Sequence, residues 1–218
     1  MRELVIFGGR GIGMIAASVA TDLGSHRVLG FLNDDVPVGE FVGAYRKYQV
    51  LGTTGEYERF LANSNVDFFL GFAGMTFESR TFGKLVDLNI DRQRWATLIH
   101  PTAIVPYDYC RLGRGILLAP LAQLSPDVTL DDNSIVLGNA FVGHDSHLRR
   151  FAHVATNGVV GGAVDVGRGV HVGSNSVIRE NVTIGDFALI GSGSVVLHDV
   201  SAGNRVAGNP ARVIGKNS

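Results

Sequence analysis

Histidine is over-represented in one stretch of this chain. Of the seven histidines among 218 residues, five lie between positions 144 and 198. The imidazole changes charge close to neutral pH, so its neutral form can accept a proton from an attacking amine or hydroxyl. His144 is followed directly by Asp145, and a neighbouring carboxylate raises the basicity of an imidazole and fixes its tautomer. The sequence therefore predicts a general base at His144. The five histidines are His144, His147, His153, His171 and His198.

Two other interpretations of these histidines stay open. Each of the five could be a solvated surface group. Metal binding is the second alternative, because imidazole is a common zinc ligand and His153 and His171 are eighteen residues apart. A third ligand at suitable spacing is not evident, since His147 is expected on a different face from both. No metal is therefore expected.

A six-residue period determines where these side chains stand. From Leu112 to Val196 every sixth residue is aliphatic, fifteen in succession. This period is neither the 3.6 of a helix nor the two of a strand, and an unbroken fixed period is typical of a solenoid. The residues four positions after each aliphatic residue are small or β-branched. The side chains of both sets are predicted to point inward. The frequent glycine directly after the aliphatic residue suits a sharp corner.

Three hexapeptides per triangular coil make eighteen residues, and fifteen hexapeptides make five coils of a parallel β-helix. At the usual strand spacing the prism would be about 24 Å tall. His153 and His171 are predicted to stack one coil apart, whereas His144 faces outward. Outward histidines on such prisms would meet at the grooves between subunits of a trimer.

The first third of the chain lacks this period. Residues 4 to 8 form a short apolar strand that runs into the glycine-rich turn Gly8-Gly9-Arg10-Gly11-Ile12-Gly13, and a helical segment follows. Further strands are predicted at 27–33 and 66–73. The alternation predicts a small parallel, Rossmann-like α/β sheet. We expect two domains, 1–98 and 99–218.

Ligands of such sheets bind at the carboxyl ends of the strands. The glycine turn would bring backbone N–H groups and a helix N-terminus to a phosphate. Asp34 and Asp35 follow the second strand, where carboxylates can accept hydrogen bonds from a ribose or a base. These features favour a nucleotide, although glycine turns also serve packing and the two aspartates could form a solvated turn.

Composition excludes several classes of protein. A net charge of −1 argues against a surface for nucleic acid or an anionic membrane. The single Cys110 rules out an intramolecular disulfide and fits a reducing compartment. No apolar run approaches the length of a membrane span or a secretory signal, so a cytoplasmic location is expected.

With these features in view, the chain resembles the hexapeptide sugar O- and N-acetyltransferases, the group of sialic acid O-acetyltransferases and N-acetyltransferases of nucleotide-linked amino sugars. The resemblance covers nearly the whole length. The segments that carry it are IFGGRGIG, FLNDD, IHPTAIV at 99–105, VGHDSHLRRFAHVA at 142–155 and VAGNPARVIG at 206–215. Members often have Ile-Gly in place of Leu148-Arg149, His in place of Ile12 and Pro in place of Thr156.

The resemblance implies a left-handed β-helix, a homotrimer and acetyl-CoA as cosubstrate. It implies that His144 is the general base supported by Asp145, and that the acceptor attacks the thioester directly. It also implies contacts to acetyl-CoA and to the nucleotide of the acceptor, whose sugar would project toward His144 of an adjoining subunit. The implied acetyl-CoA contacts are His153, Gly173, Ser174, Gly191 and Ser192, and the implied nucleotide contacts are Gly8, Gly9, Arg10, Gly11, Asn33 and Asp34.

N-acetylation of a nucleotide-linked aminodeoxy sugar is the favoured function. A sugar ammonium needs only one proton removed before attack, and free sialic acid has no nucleotide to occupy the first domain. O-acetylation of a sialic-acid-type sugar is the alternative. Two further hypotheses are a zinc protein of the β-helical carbonic anhydrase type and a catalytically silent nucleotide-sugar binding scaffold.

Overall fold

The computed structural model describes residues 1–72 and 88–217. The chain forms two compact units. The amino-terminal unit comprises Met1–Phe72 and Asn89–Pro101, and the described part of the carboxy-terminal unit is residue 88 and residues 102–217. In the part of the chain that the structure describes, no helix is long and apolar enough to cross a membrane.

The amino-terminal unit is an α/β structure around one five-stranded sheet. Its strand order is β3-β4-β2-β1-β5, in which β4, β2, β1 and β5 run parallel and β3 pairs antiparallel with β4. The three predicted strands correspond to β1, β2 and β5, and position 73 of the third lies outside the described residues. The elements are β1 (Arg2–Phe7), α1 (Ile12–Leu23), β2 (His26–Leu32), β3 (Phe41–Val42), β4 (Tyr48–Gly52), a 3₁₀ segment (Thr54–Phe60), β5 (Val66–Leu70), a second 3₁₀ turn (Arg92–Arg94) and β6 (Leu98–Ile99).

Buried aromatic rings and small helix residues hold this unit together. Phe7 at the end of β1 packs against the rings of Phe68 and Trp95 with centroids about 6 Å apart. Gly13 in α1 lets the helix lie close to Phe31, because a Cβ there would come within 2.9 Å of the Phe31 ring. The helix ends at Gly24 in the left-handed conformation, φ +61°.

The carboxy-terminal unit is a parallel β-solenoid, as the six-residue period predicts. Fifteen two-residue strands recur every six residues, and each of the first twelve pairs in parallel with the strand eighteen residues further on, as His153 does with His171. An antiparallel hairpin, β22–β23, follows the last coil. The strands are β7 (Arg111–Leu112), β8 (Leu117–Leu118), β9 (Gln123–Leu124), β10 (Thr129–Leu130), β11 (Ile135–Val136), β12 (Phe141–Val142), β13 (His147–Leu148), β14 (His153–Val154), β15 (Val159–Val160), β16 (Asp165–Val166), β17 (His171–Val172), β18 (Val177–Ile178), β19 (Thr183–Ile184), β20 (Leu189–Ile190), β21 (Val195–Val196), β22 (Asn204–Gly208) and β23 (Ala211–Lys216).

Three stacks of strands form the sides of the solenoid. The first side is β7-β10-β13-β16-β19, the second is β9-β12-β15-β18-β21, and the third runs through β8-β11-β14-β17-β20 to β22 and β23. Of the fifteen periodic aliphatic residues only Leu112 in the first coil is not buried, and all the residues four positions later are buried. The predicted inward positions are thus confirmed.

Each corner contains a residue with left-handed backbone conformation, and the glycine predicted at the corner avoids a Cβ clash there. The left-handed residue comes three positions after the aliphatic one, as at Asp127 (φ 63°) and Asn139 (φ 57°). The glycine directly after the aliphatic residue is needed for another reason. A Cβ at Gly143 would lie 2.6 Å from the backbone of Gly161 in the next coil, so close approach of the coils excludes a side chain there.

One corner is a ladder of asparagines at the left-handed positions. The Asn139 amide donates to the Asn157 side-chain oxygen at 2.8 Å, and Asn157 donates in turn to Asn175 at 3.0 Å. Asparagine tolerates the left-handed region better than other non-glycine residues. In the preceding coil the same position holds Leu121, which has φ 62° and is 59% exposed.

We predict that Leu121→Asn stabilises the protein by about 0.5–1 kcal/mol, because it relieves left-handed strain at an exposed position and extends the ladder. Thermal melting followed by circular dichroism measures the change. The matched control is Asn157→Leu, which introduces that strain, breaks two ladder bonds and should lower the melting temperature. A melting temperature of Leu121→Asn at or below that of the wild type would contradict this account.

Candidate active site

His144 and Asp145 occupy a corner of the solenoid between β12 and β13. Asp145 is the left-handed residue of this corner, φ 58°. Backbone hydrogen bonds hold the corner to both adjoining coils: Asp145 N–H donates to the Pro126 carbonyl at 3.3 Å, and Ala163 N–H donates to the His144 carbonyl at 2.7 Å. The backbone of the predicted pair is therefore fastened to the coil on either side.

The two side chains form the contact that the sequence predicts. His144 Nδ1 lies 2.7 Å from Asp145 Oδ2. A carboxylate only accepts, so Nδ1–H is the donor and the neutral imidazole carries its lone pair on Nε2. Both side chains are open to solvent, with 68% and 62% of their areas exposed. The arrangement presents an oriented proton acceptor to any molecule that binds at this corner.

His153 and His171 stack on the third side of the solenoid, as predicted from their spacing. Their Nδ1 atoms are 2.9 Å apart, so one ring donates to the other. The expectation of a solvated surface group is wrong for His153, which is only 4% exposed. Burial, with repulsion from His171, lowers the pKa of His153 to about 3, and burial also lowers the pKa of His171. Both rings are therefore neutral at pH 7.

The zinc alternative gains no further ligand from the fold. His147 is on the first side of the solenoid, where its Nε2 lies 3.0 Å from Asp131. Among residues 1–72 and 88–217, no group of three or more histidine, cysteine, aspartate or glutamate side chains is placed to hold a metal ion.

The other four residues implied as acetyl-CoA contacts, those for the pantetheine arm, lie on a different corner from His144. Gly173 and Ser174 follow β17, and Gly191 and Ser192 follow β20 one coil later. The N–H groups of both glycines donate to carbonyls of the next coil, Gly173 to Ile190 at 2.9 Å and Gly191 to Val206 at 2.8 Å. A ligand at this corner would therefore meet the serines, and one prism does not bring this corner to His144.

In the amino-terminal unit, a cavity of about 440 Å³ lies at the carboxyl ends of β1, β2 and β5. Four of the six residues expected to contact a nucleotide line this cavity. Two of them are glycines whose positions leave no room for a Cβ. A Cβ at Gly8, φ +105°, would lie 2.9 Å from the Gly71 carbonyl oxygen, and one at Gly9 would lie 2.7 Å from the Asn33 amide nitrogen. The lining residues are Gly8, Gly9, Arg10, Asn33, Asp35, Val36, Gly71 and Phe72.

The other two expected contacts are placed differently. Gly11 lines an adjoining cavity of about 420 Å³, which shares Arg10 and Val36 with the first. Asp34 accepts hydrogen bonds from the Thr54 N–H at 2.8 Å and the Thr54 hydroxyl at 2.7 Å, at the start of the first 3₁₀ segment. Its carboxylate is therefore used within the protein, and the neighbouring Asp35 faces the cavity instead.

Several lining residues were not identified from the sequence. Val36, Gly71 and Phe72 carry no motif of their own. Phe41, 56% exposed, contributes to the second cavity from β3, a two-residue strand without a detectable hydrophobic pattern. Only Gly71, which lies within the third predicted strand, offered a signal, because glycine inside a strand often marks close backbone approach.

Comparison with known proteins identifies related folds. The family model of the bacterial transferase hexapeptide (six repeats) matches residues 163–198. No curated protein sequence matches the chain.

Among solved structures, a mutant of perosamine N-acetyltransferase from Caulobacter crescentus in complex with CoA and GDP-perosamine aligns with a TM-score of 0.83 and 23% identity, over 98% of this chain and 97% of that one. The acetyltransferase domain of PglB from Neisseria gonorrhoeae FA1090, in complex with acetyl coenzyme A, aligns with a TM-score of 0.82 and 27% identity, over 98% and 99%. The N-acyltransferase AntD from Bacillus cereus is more distant, with a TM-score of 0.53 and 18% identity over 56% and 80%.

The two adjacent aspartates are expected to contribute differently to stability. We predict that Asp34→Ala lowers the free energy of unfolding by about 1–2 kcal/mol, because it removes both hydrogen bonds to Thr54. Asp35→Ala is the matched control and should leave the melting temperature unchanged. Differential scanning calorimetry of the two variants provides the test, and equal melting temperatures would show that the Thr54 contacts contribute nothing.

The buried histidine pair predicts a loss of stability in acid. The folded-state pKa of His153, about 3, lies below the 6.5 of an unperturbed histidine, so on acidification the unfolded chain takes up the proton first. The stabilisation is complete above pH 6.5 and is lost as the pH falls toward 3. Between pH 7 and 5 the loss is about 2 kcal/mol.

Urea denaturation at the two pH values measures this loss. His153→Phe should lose distinctly less stability than the wild type over the same interval, because a phenyl ring takes up no proton. Identical pH dependence in the two proteins would assign the acid sensitivity to other groups.

Proposed function

We propose that this chain belongs to the hexapeptide-repeat acyltransferases and is an acetyl-CoA-dependent N-acetyltransferase of a nucleotide-linked aminodeoxy sugar. The observation that carries the proposal is the exposed pair of His144 and Asp145 on a corner of the solenoid, with Nδ1 bonded to the carboxylate and Nε2 free to accept a proton. Solvent exposure leaves room for both an acceptor and a thioester at this corner.

The reaction follows from that geometry. Nε2 of His144 removes a proton from the sugar ammonium, and the amine attacks the carbonyl carbon of the acetyl thioester. A C–N bond forms and the C–S bond breaks. The thiolate of CoA leaves and takes up the proton from the imidazolium. The regenerated imidazole then accepts the second proton of the acylated nitrogen, which gives the neutral amide, and passes that proton to solvent. Asp145 stabilises the imidazolium through the Nδ1 hydrogen bond and keeps the ring in the tautomer that can act again.

The cavities of the amino-terminal unit suit the nucleotide. Gly8 and Gly9 have no side chains and shortly precede α1, so a diphosphate can approach their backbone N–H groups. The positive charge of Arg10 would balance the charge of the diphosphate. The adjoining cavity, with the exposed ring of Phe41, has room for a base. The similar enzyme from Caulobacter crescentus holds GDP-perosamine and CoA, which supports this class of acceptor. Nucleotide binding by a Rossmann-like sheet is part of the proposal.

We also propose a homotrimer of left-handed prisms. His144 and the corner of Gly173 and Gly191 are different edges of one prism, so a site that uses both needs prisms packed side by side. His153 belongs to this proposal as a residue near the thioester, and Ser174 and Ser192 as contacts of the pantetheine arm. Gly11, Asn33 and Asp34 are proposed on the nucleotide side, where Asp34 acts through the loop that it holds to Thr54.

The test is release of CoA thiol from acetyl-CoA with a panel of nucleotide-linked amino sugars and sialic acid. We predict turnover with an amino sugar nucleotide, and a loss of at least about 100-fold in kcat for His144→Ala, the scale of a lost general base. His198→Ala, an exposed histidine on the same solenoid, is the control and should retain activity.

The alternative outcomes are distinct. Release with sialic acid alone would make the enzyme an O-acetyltransferase. Binding of a sugar nucleotide in calorimetry without any binding of acetyl-CoA would favour a silent scaffold. Full activity of His144→Ala would remove that residue from the mechanism.

A further inference from the structure

The coil that follows His144 has a gap beneath the imidazole. Gly162 lies eighteen residues after His144, at the same corner of the next coil. A Cβ placed on Gly162 would lie 2.7 Å from Nε2, 2.8 Å from Cε1 and 3.2 Å from Cδ2 of the His144 ring. The edge of the ring that carries the proton-accepting nitrogen therefore occupies the space that any side chain at position 162 would need.

The backbone itself does not require glycine at this position. Gly162 is not among the residues with positive φ, and the left-handed residue of this corner is the next one, Ala163, at φ 53°. Gly162 also differs from its neighbour Gly161, whose Cβ would lie 2.7 Å from the backbone nitrogen of Glu180. At Gly162 the three nearest atoms to an added Cβ all belong to the imidazole.

The equivalent positions of other coils hold larger residues. One coil before His144 the position is Pro126, and one coil after Gly162 it is Glu180. The corner as such therefore accommodates side chains. The bare position occurs directly against the histidine.

His144 has little else to hold its ring. It is 68% exposed, and its side-chain hydrogen bond goes to its own neighbour in the chain, Asp145. An exposed side chain with one local hydrogen bond can leave its rotamer at small cost. We propose that Gly162 is a positioning residue. Because it has no side chain, the His144 ring can lie against the next coil, and this contact fixes the position of Nε2. The inference rests on the proposed function of His144 and adds to it the residue that orients the base.

The variant Gly162→Ala should fold, because a flexible exposed ring gives way more easily than backbone does. The displaced ring should lower kcat by about 10- to 100-fold, since a misplacement near 1 Å costs about that much in rate. The KM for acetyl-CoA should change by less than about twofold. The control is Gly138→Ala: Gly138 also directly precedes a left-handed residue, Asn139, and its Cβ would meet only the Pro120 oxygen at 3.3 Å.

A double-mutant cycle separates positioning from a general structural effect. In the His144→Ala background, Gly162→Ala should cause no additional loss of activity, because the group on which it acts is gone. An equal further loss would overturn the inference, as would wild-type kcat in the single variant.

A readout that needs no substrate completes the test. The Cε1–H resonance of the His144 imidazole, assigned from its absence in His144→Ala, should shift in Gly162→Ala and stay unchanged in Gly138→Ala. An unshifted resonance in Gly162→Ala would refute the positioning role. If the wild type acetylates none of the sugars, the proposed function fails, while the resonance still decides whether Gly162 orients the ring.

Discussion

Backbone pairing between coils, with an offset of eighteen residues, is the constraint on which the carboxy-terminal unit depends. Each strand is only two residues long, so no strand is stable alone, and every coil is held by hydrogen bonds to the coils before and after it. The pairing works only if each coil contains the same number of residues. The period of six keeps every coil at eighteen residues, and all the periodic aliphatic residues except Leu112 bury their side chains inside the stack.

The corners carry the chemistry because of this constraint. Inward positions are filled by the core, and the left-handed residue that each corner needs favours asparagine, aspartate and glycine. Asp145 satisfies this backbone requirement and is also the hydrogen-bond partner of His144. The same short spacing between coils makes side chains at equivalent corner positions compete for space, so a residue one coil away can restrict the position of a corner side chain such as His144.

The sequence was sufficient to predict what depends on spacing and insufficient for what depends on packing. The coils, the inward residues, the stacking of His153 with His171 and the outward position of His144 all follow from counting. The burial of His153 does not, because an outward position in the repeat carries no information about what lies over it. The short strand β3 and the hydrogen bond between Thr54 and Asp34 could not be predicted either. The strand is too short to show a hydrophobic pattern, and the hydrogen bond joins residues twenty positions apart that only the fold brings together.

The pair of His153 with His171 and the pair of His144 with Asp145 show why position within the repeat matters more than residue type. His153 and His171 are stacked within a sheet, where desolvation lowers both pKa values and keeps the rings neutral. Their proton uptake is suppressed, so neither suits reversible proton transfer near pH 7. His144 stands at a corner, with a carboxylate on Nδ1 and solvent around the ring, which is the arrangement that the proposed proton transfer requires. Of these two pairs, the one at the corner is therefore the one that we propose as the base.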